Sequence, residues 1–272
     1  MKKAIINGIE LEYSHLGSAE GEYIVLIHGS VFEDMFLPMI SEPSLSKYAF
    51  LHYHRRGYGD STLNSETPSI NQQSNDCLEL MNFLNIDHAH IVSHSYAGLI
   101  ALQAAVDQPE RVRSLTLMEP PLAAFVPAGE EFGKRLSTSV GLYQEGKKFE
   151  ALDSFLKVVF EGTEDYRKII DSNLGNKAFE RAVSSVDTMF QVEYPALMSW
   201  KFSPDDAKSL PLPVLSIEGT ESAFFFKQIH TLLESWFPRL ETTLIQNTSH
   251  ILHMQYPKSV ANGLSSFLSK VT

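Results

Sequence analysis

Ile91-Val92-Ser93-His94-Ser95-Tyr96-Ala97-Gly98 is the stretch whose reading decides the fold. An apolar, partly β-branched run enters a turn flanked by small residues, Ser93 and Ala97, and a helical pattern follows to about Asp107. A serine held on a sharp strand-to-helix turn takes up strained backbone angles, and bulky side chains two positions away would collide with it. Such a turn lifts Ser95 to the carboxyl end of its strand, with the N-terminus of a helix behind it. Small-X-Ser-X-small strings also arise by chance, so the surrounding chain has to supply the rest of the argument.

Upstream, Lys3–Ile6 and Glu10–Tyr13 read as a hairpin punctuated by Gly8. Tyr23–Ile27 is a continuous apolar run ending at His28-Gly29-Ser30, and Phe50–His54 is a second one ending at Arg55-Arg56-Gly57-Tyr58-Gly59-Asp60-Ser61. Runs of this kind suit strands buried on both faces. A polar loop separates them from a helix over Ser69–Leu84, in which Cys77 reads as a small buried hydrophobe rather than a nucleophile. Downstream, Arg113–Met118 is a strand that stops at Glu119-Pro120-Pro121, where two prolines end regular structure. The texture then changes to helical stretches (Gly129–Tyr143, Lys148–Phe160, Thr163–Asn173, Ala178–Phe190) dense in aromatic residues, most of which are expected to build their own core. Strands over Val214–Ile217 and Thr242–Ile245, and helices over Phe225–Trp236 and Pro257–Lys270, resume the βα rhythm of a largely parallel sheet.

Composition narrows the function classes. The chain has 272 residues, 43% of them hydrophobic, enough for one large domain carrying an insertion. A net charge of −11 argues against nucleic-acid binding, which needs clustered Lys and Arg, and against a polybasic membrane anchor. One cysteine excludes an internal disulfide and cysteine-rich zinc sites. With no signal peptide and no apolar run near the roughly 20 residues of a membrane helix, the expectation is a cytoplasmic protein acting on a small molecule. There is no Gly-x-Gly-x-x-Gly fingerprint or Walker loop, so no cofactor is expected. His52 and His54 flank Tyr53 at strand spacing, but no third ligand follows them, so no metal is expected either.

In the order of its motifs the whole chain resembles the α/β-hydrolase superfamily. His28-Gly29-Ser30 is similar to that family's oxyanion loop, Arg56-Gly57-Tyr58-Gly59-Asp60-Ser61 to its Arg-Gly-X-Gly-X-Ser segment, Ser95 to its nucleophile, and His250 after the last strand to its base. The resemblance implies a mostly parallel eight-stranded sheet flanked by helices. It assigns residues 1–120 and 206–272 to the core and 121–205 to a helical cap inserted after the sixth strand. It also implies Tyr96 and Ser30 as the amide donors of an oxyanion hole, with Val31 as the alternative to Ser30. Serine needs a base to take its proton, and His250 is preferred to His253 one turn later. His54, where the family often carries Asp, reads as a satisfied structural histidine.

The orienting carboxylate departs from pattern. Its usual place, three residues after the glycine that ends the penultimate strand, is Ser222 in Gly219-Thr220-Glu221-Ser222. Glu119, 119 − 95 = 24 residues after the serine, is the leading substitute, because a minority of the superfamily places its acid on that strand; Glu221 and no acid at all stay open. The implied function is a serine hydrolase of small apolar or aromatic esters or lactones, working through an acyl-enzyme. A C–C bond hydrolase or cofactor-free perhydrolase on the same residues, or a non-catalytic ligand-binding homologue, are the alternatives. Family members that attack with Asp, the dehalogenases and epoxide hydrolases, are set aside by Ser95.

Overall fold

Eight strands form one sheet in the order β1-β2-β4-β3-β5-β6-β7-β8: β1 Lys2–Ile6, β2 Ile9–Gly17, β3 Tyr23–Ile27, β4 Ala49–Tyr53, β5 Ala89–His94, β6 Val112–Met118, β7 Val214–Gly219 and β8 Glu241–Ile245. β2 runs antiparallel to both β1 and β4, and the remaining neighbours are parallel. The structure, a computed structural model, describes residues 1–64 and 67–271. Residues 65 and 66 of the polar loop expected after Ser61, and residue 272 at the end of the expected core, lie outside the described residues.

The sequence explains the sheet's middle. Every residue of β4, β5 and β7 is buried, as are Ile24 to Ile27 of β3, because helices cover both faces. The helix Ile70–Phe83 starts at a capping box, in which Ser69 accepts from the Gln72 amide and the Gln72 side chain accepts from the Ser69 amide. The helix Ala97–Asp107 is apolar almost all round and is buried from Ala97 through Ala105. Parallel strands end on one side, so the loops after β3, β5, β6, β7 and β8 meet along one edge, where ligands of open α/β sheets bind.

Between β6 and β7 no strand occurs among the described residues, only helical segments. Three lie close to the expected ranges: Ala128–Gln144, Lys148–Val159 and Tyr166–Leu174. The fourth does not. Instead of one helix over Ala178–Phe190, the chain makes Ala178–Ala182, a 3-10 turn Val183–Ser185, Val186–Thr188, a π-helical turn Met189–Glu193 and then Tyr194–Ser199. Pro195 supplies the reason for the widened turn: it has no N–H for the carbonyl four residues back, and its ring would collide there in an α-helix. Aromatic residues of this stretch pair with one another or with the core, as in Tyr143 stacked on Phe190 at 4.5 Å and Phe132 on Phe225 at 4.1 Å. No helix among the described residues is long and apolar enough to cross a membrane.

Candidate active site

Ser95 follows β5 directly and has φ of 53°, the left-handed region that a non-glycine residue enters only under constraint. Its amide donates to the Met118 carbonyl at 2.9 Å, and its carbonyl accepts from Gly98 N at 2.8 Å, so the turn is fixed on both sides. The small residues are needed for close approach. A Cβ on Gly98 would lie 2.5 Å from Pro120 Cβ, against the chain leaving β6.

Glu119, the residue after β6, also sits in the left-handed region, with φ of 50°. That bend turns its carboxylate along the sheet edge towards β7 and the loop after β8. Oε2 lies 2.6 Å from His250 Nδ1, while Oε1 accepts from the Gly219 amide at 2.9 Å and from the Ser222 hydroxyl. Both residues are buried, 4% and 2% exposed, so the hydrogen bond between them is shielded from water. Ser222, at the usual carboxylate position of the pattern, thus binds the carboxylate that comes from the neighbouring strand. Glu221 stays outside: its side chain is exposed and accepts from Thr220 Oγ1 at 3.3 Å.

The His250 ring lies flat on Phe226 at 4.3 Å and 12°, with Phe160 of the helical stretch 6.2 Å away. His94 Nε2 donates to the His250 carbonyl at 2.9 Å, which anchors the histidine loop beneath Ser95. His253 is fully buried between His94 and Phe36 with neither ring nitrogen hydrogen-bonded, and burial pushes its pKa down to about 3. It is a packing residue. Cys77 is equally buried, and desolvation pushes its thiol up to about 12, which leaves no thiolate for nucleophilic use.

The loop after β3 is held by a group the sequence reading missed. Arg55 is 2% exposed and donates from Nε to the His28 carbonyl at 2.9 Å, from Nη2 to the Gly29 carbonyl at 2.9 Å and from Nη1 to Gln73 at 2.9 Å. Gln73 in turn donates to the Tyr96 hydroxyl at 2.9 Å. The arginine's counter-charge is Glu193 at 2.5 Å, the last residue of the π-helical turn, whose other oxygen accepts from Ser30 Oγ at 2.5 Å. His28 Nδ1 donates to the Gly29 carbonyl at 2.7 Å and Nε2 accepts from Arg55 N at 3.0 Å, which defines a neutral ring. Burial and the Arg55 charge hold its pKa well below the usual value. Val31 has φ of 63° and donates its amide to Tyr58 Oη at 3.4 Å. A β-branched residue at such an angle marks a loop over-determined by its surroundings. The signal for Glu193 was a carboxylate inside the apolar string Met189-Phe190-Gln191-Val192-Glu193-Tyr194, since a charge is buried only when paired.

A cavity of about 550 Å³ opens on the far side of the histidine loop, walled by Thr163, Lys168, Glu221, Asn247, Thr248 and Gln255, and Ser95 is not part of its wall. The reactive groups, not the cavity, locate the candidate site. One expectation is corrected here: a third potential metal ligand does stand beside His52 and His54. It is Asp34, brought from the loop after β3 to 3.2 Å from His54 Nε2. Sequence spacing concealed it because the partner comes from another strand's loop.

The fold and this edge define a class, the α/β sheet with a strained serine turn at its carboxyl side. The chain belongs to the alpha/beta hydrolase family: the family model described as alpha/beta hydrolase fold matches residues 23–257. Among curated proteins it is 24% identical to bifunctional epoxide hydrolase 2 of Rattus norvegicus, over 96% of this chain and 54% of that protein; the chain thus spans about half of that relative's length. It is also 24% identical to an uncharacterized carboxylesterase of Bacillus subtilis, over 94% of this chain and 82% of the relative. Among solved structures, a thermophilic esterase from Thermogutta terrifontis, malate bound, superposes with a TM-score of 0.82 at 18% identity, covering 99% of this chain and 98% of the other.

Proposed function

We propose that this α/β hydrolase is a serine hydrolase that cleaves small carboxylic esters or lactones through an acyl-enzyme. The observation that carries the reading is the 2.6 Å contact between His250 Nδ1 and Glu119 Oε2 behind the strained Ser95. With Nδ1 engaged by the carboxylate, Nε2 is the nitrogen left to take the Ser95 proton as Oγ attacks the carbonyl carbon. The ester C–O bond then breaks, the leaving oxygen takes that proton from His250, and water repeats the sequence to release the acid. Glu119 keeps its negative charge throughout and stabilises the imidazolium.

The oxyanion donors are the backbone amides of Tyr96, after the nucleophile, and Ser30, after His28-Gly29. Neither amide donates to a backbone carbonyl or a side chain among the described residues, whereas the Val31 amide faces Tyr58 Oη. Residues 121–205 act as the cap, and Phe160 beside His250 is their contribution to the apolar wall. Ser95 also bears on the epoxide-hydrolase relative. Attack of Ser95 Oγ on an epoxide carbon, opening the ring, would leave an ether, which water does not readily cleave, so carbonyl substrates fit this site.

The test is labelling with a fluorophosphonate probe together with turnover of a p-nitrophenyl ester series. Wild type reacts with the probe and hydrolyses short esters, and Ser95→Ala does neither. Equal labelling of Ser95→Ala, or none of wild type, would overturn the nucleophile.

A further inference from the structure

Beside the oxyanion loop, and apart from the serine chemistry, the end of β4 carries a second convergence of donor atoms. One ligand atom from each of Asp34, His52 and His54 lies within 4.8 Å of the others. Asp34 Oδ1 is 3.2 Å from His54 Nε2 and 3.5 Å from His52 Nε2, and the Glu33 carbonyl oxygen is 3.1 Å from His52 Nε2. We propose that Asp34, His52 and His54 form a binding site for a first-row divalent transition-metal ion such as zinc, which would clip the loop after β3 to the end of β4.

Four features fit such an ion. Two ligands each about 2.0–2.2 Å from a tetrahedral centre stand roughly 3.3–3.6 Å apart, and the carboxylate oxygen is within that spacing of His52 at 3.5 Å and just short of it from His54 at 3.2 Å. His54 is oriented from behind: Nδ1 lies 3.0 Å from Glu12 Oε2, which also accepts from Asp60 N at 2.7 Å. A ligating histidine typically donates its other nitrogen to a carboxylate in this way, which fixes the tautomer and turns Nε2 to the metal. The two imidazoles are buried, 2% and 6% exposed, while the Asp34 side chain is 45% exposed and provides the entrance. The donor set, two imidazoles and one carboxylate, suits zinc, cobalt or nickel rather than magnesium or calcium, which take oxygen cages. The neighbouring charges are mixed: Glu12, Glu33 and Asp34 face the site, and the Arg181 guanidinium acts on Asp34 and Glu33.

The inference does not rest on the ester chemistry and is tested by binding. The full chain, stripped with a chelator and titrated with cobalt(II), should develop a visible d–d band that saturates at one equivalent and is displaced by zinc. Asp34→Asn and His52→Gln should abolish the band, and Glu12→Gln should weaken cobalt binding by about 10–100-fold. His88→Gln, an exposed histidine elsewhere, should leave it unchanged. Zinc should also raise the melting temperature of wild type and not of Asp34→Asn, a variant whose half-exposed side chain can change without unfolding the chain. No band at one equivalent, or a band of unchanged affinity in Asp34→Asn, would mean that these residues are a hydrogen-bonded cluster only.

Discussion

Glu119 has two oxygens and three hydrogen-bonding partners: the His250 ring, the Gly219 amide and the Ser222 hydroxyl. Two neutral donors fix one oxygen so that the other meets the imidazole, and the residue's length and left-handed backbone let it reach from β6 past β7. On the proposed chemistry, Glu119→Gln keeps the shape but loses the charge that stabilises the imidazolium. Its kcat on a p-nitrophenyl ester should fall about 10⁴-fold, the scale of a lost triad carboxylate. Glu221→Gln should stay within about twofold of wild type, because that side chain lies outside the site. Adding Ser222→Asp to Glu119→Gln restores a carboxylate next to the same histidine and should recover at least about tenfold of the lost rate. If it recovers nothing, the two positions do not share one acid-accepting site. Ser95, Tyr96 and His250 were legible as candidates because each sits in a short local string. The choice between Glu119 and Glu221 was not, because it depends on which strand end faces the last loop. The registers Met118 with His94 and Met118 with Ile217 decide that only once the sheet is assembled.

At the scale of elements, the strands and most helices could be read from continuous apolar runs, caps and prolines, since those signals are local. The passage from Ala178 to Ser199 could not. Its apolar spacing suits one helix, but Pro195 forces the wide turn Met189–Glu193, and that turn aims Glu193 at Arg55 and Ser30. Arg55 was visible only as the residue before the motif that begins at Arg56, and nothing in its spacing connects it to a carboxylate 193 − 55 = 138 residues away. The pair joins the helical stretch to the loop that carries Ser30, with both side chains 2% exposed. Removing one partner leaves a buried, uncompensated charge. Glu193→Gln should therefore lower the unfolding free energy by about 3–5 kcal/mol in urea denaturation. Replacing both, Arg55→Met with Glu193→Leu, should cost less than the two single changes added together, because no charge is stranded. Additive costs would mean that the pair is not a coupled unit.

Across the whole molecule buried groups tilt stability against pH in both directions, and Glu218 and His253 are one of each kind. Glu218, inside β7, is desolvated and faces the negative Glu119, and its pKa is pushed up to about 7 from 4.5. Between these values the folded chain holds a proton that the unfolded chain has released, so its contribution to stability is full below about pH 4.5 and is lost as pH rises through about 7. His253, buried without a partner, is pushed down from 6.5 to about 3. There the unfolded chain binds the extra proton, so stability is lost as pH falls below 6.5 towards 3. The two windows overlap between about pH 4.5 and 6.5, where the slopes oppose each other. These two should thus nearly cancel in that range, and wild type keeps the rising tilt of His28, His90 and His94, whose pKa values burial also holds down. Relative to wild type, Glu218→Gln should make stability rise more steeply with pH there, and His253→Leu should make it rise less steeply. Each tilt should amount to about 2 kcal/mol across the overlap, given about 1.4 kcal/mol per pH unit for one fully displaced proton. The measurement is urea denaturation of the three proteins at the two ends of the range. A change of slope of the same sign in both variants, relative to wild type, would overturn the assignment, since each substitution deletes one proton site and their linkages have opposite signs.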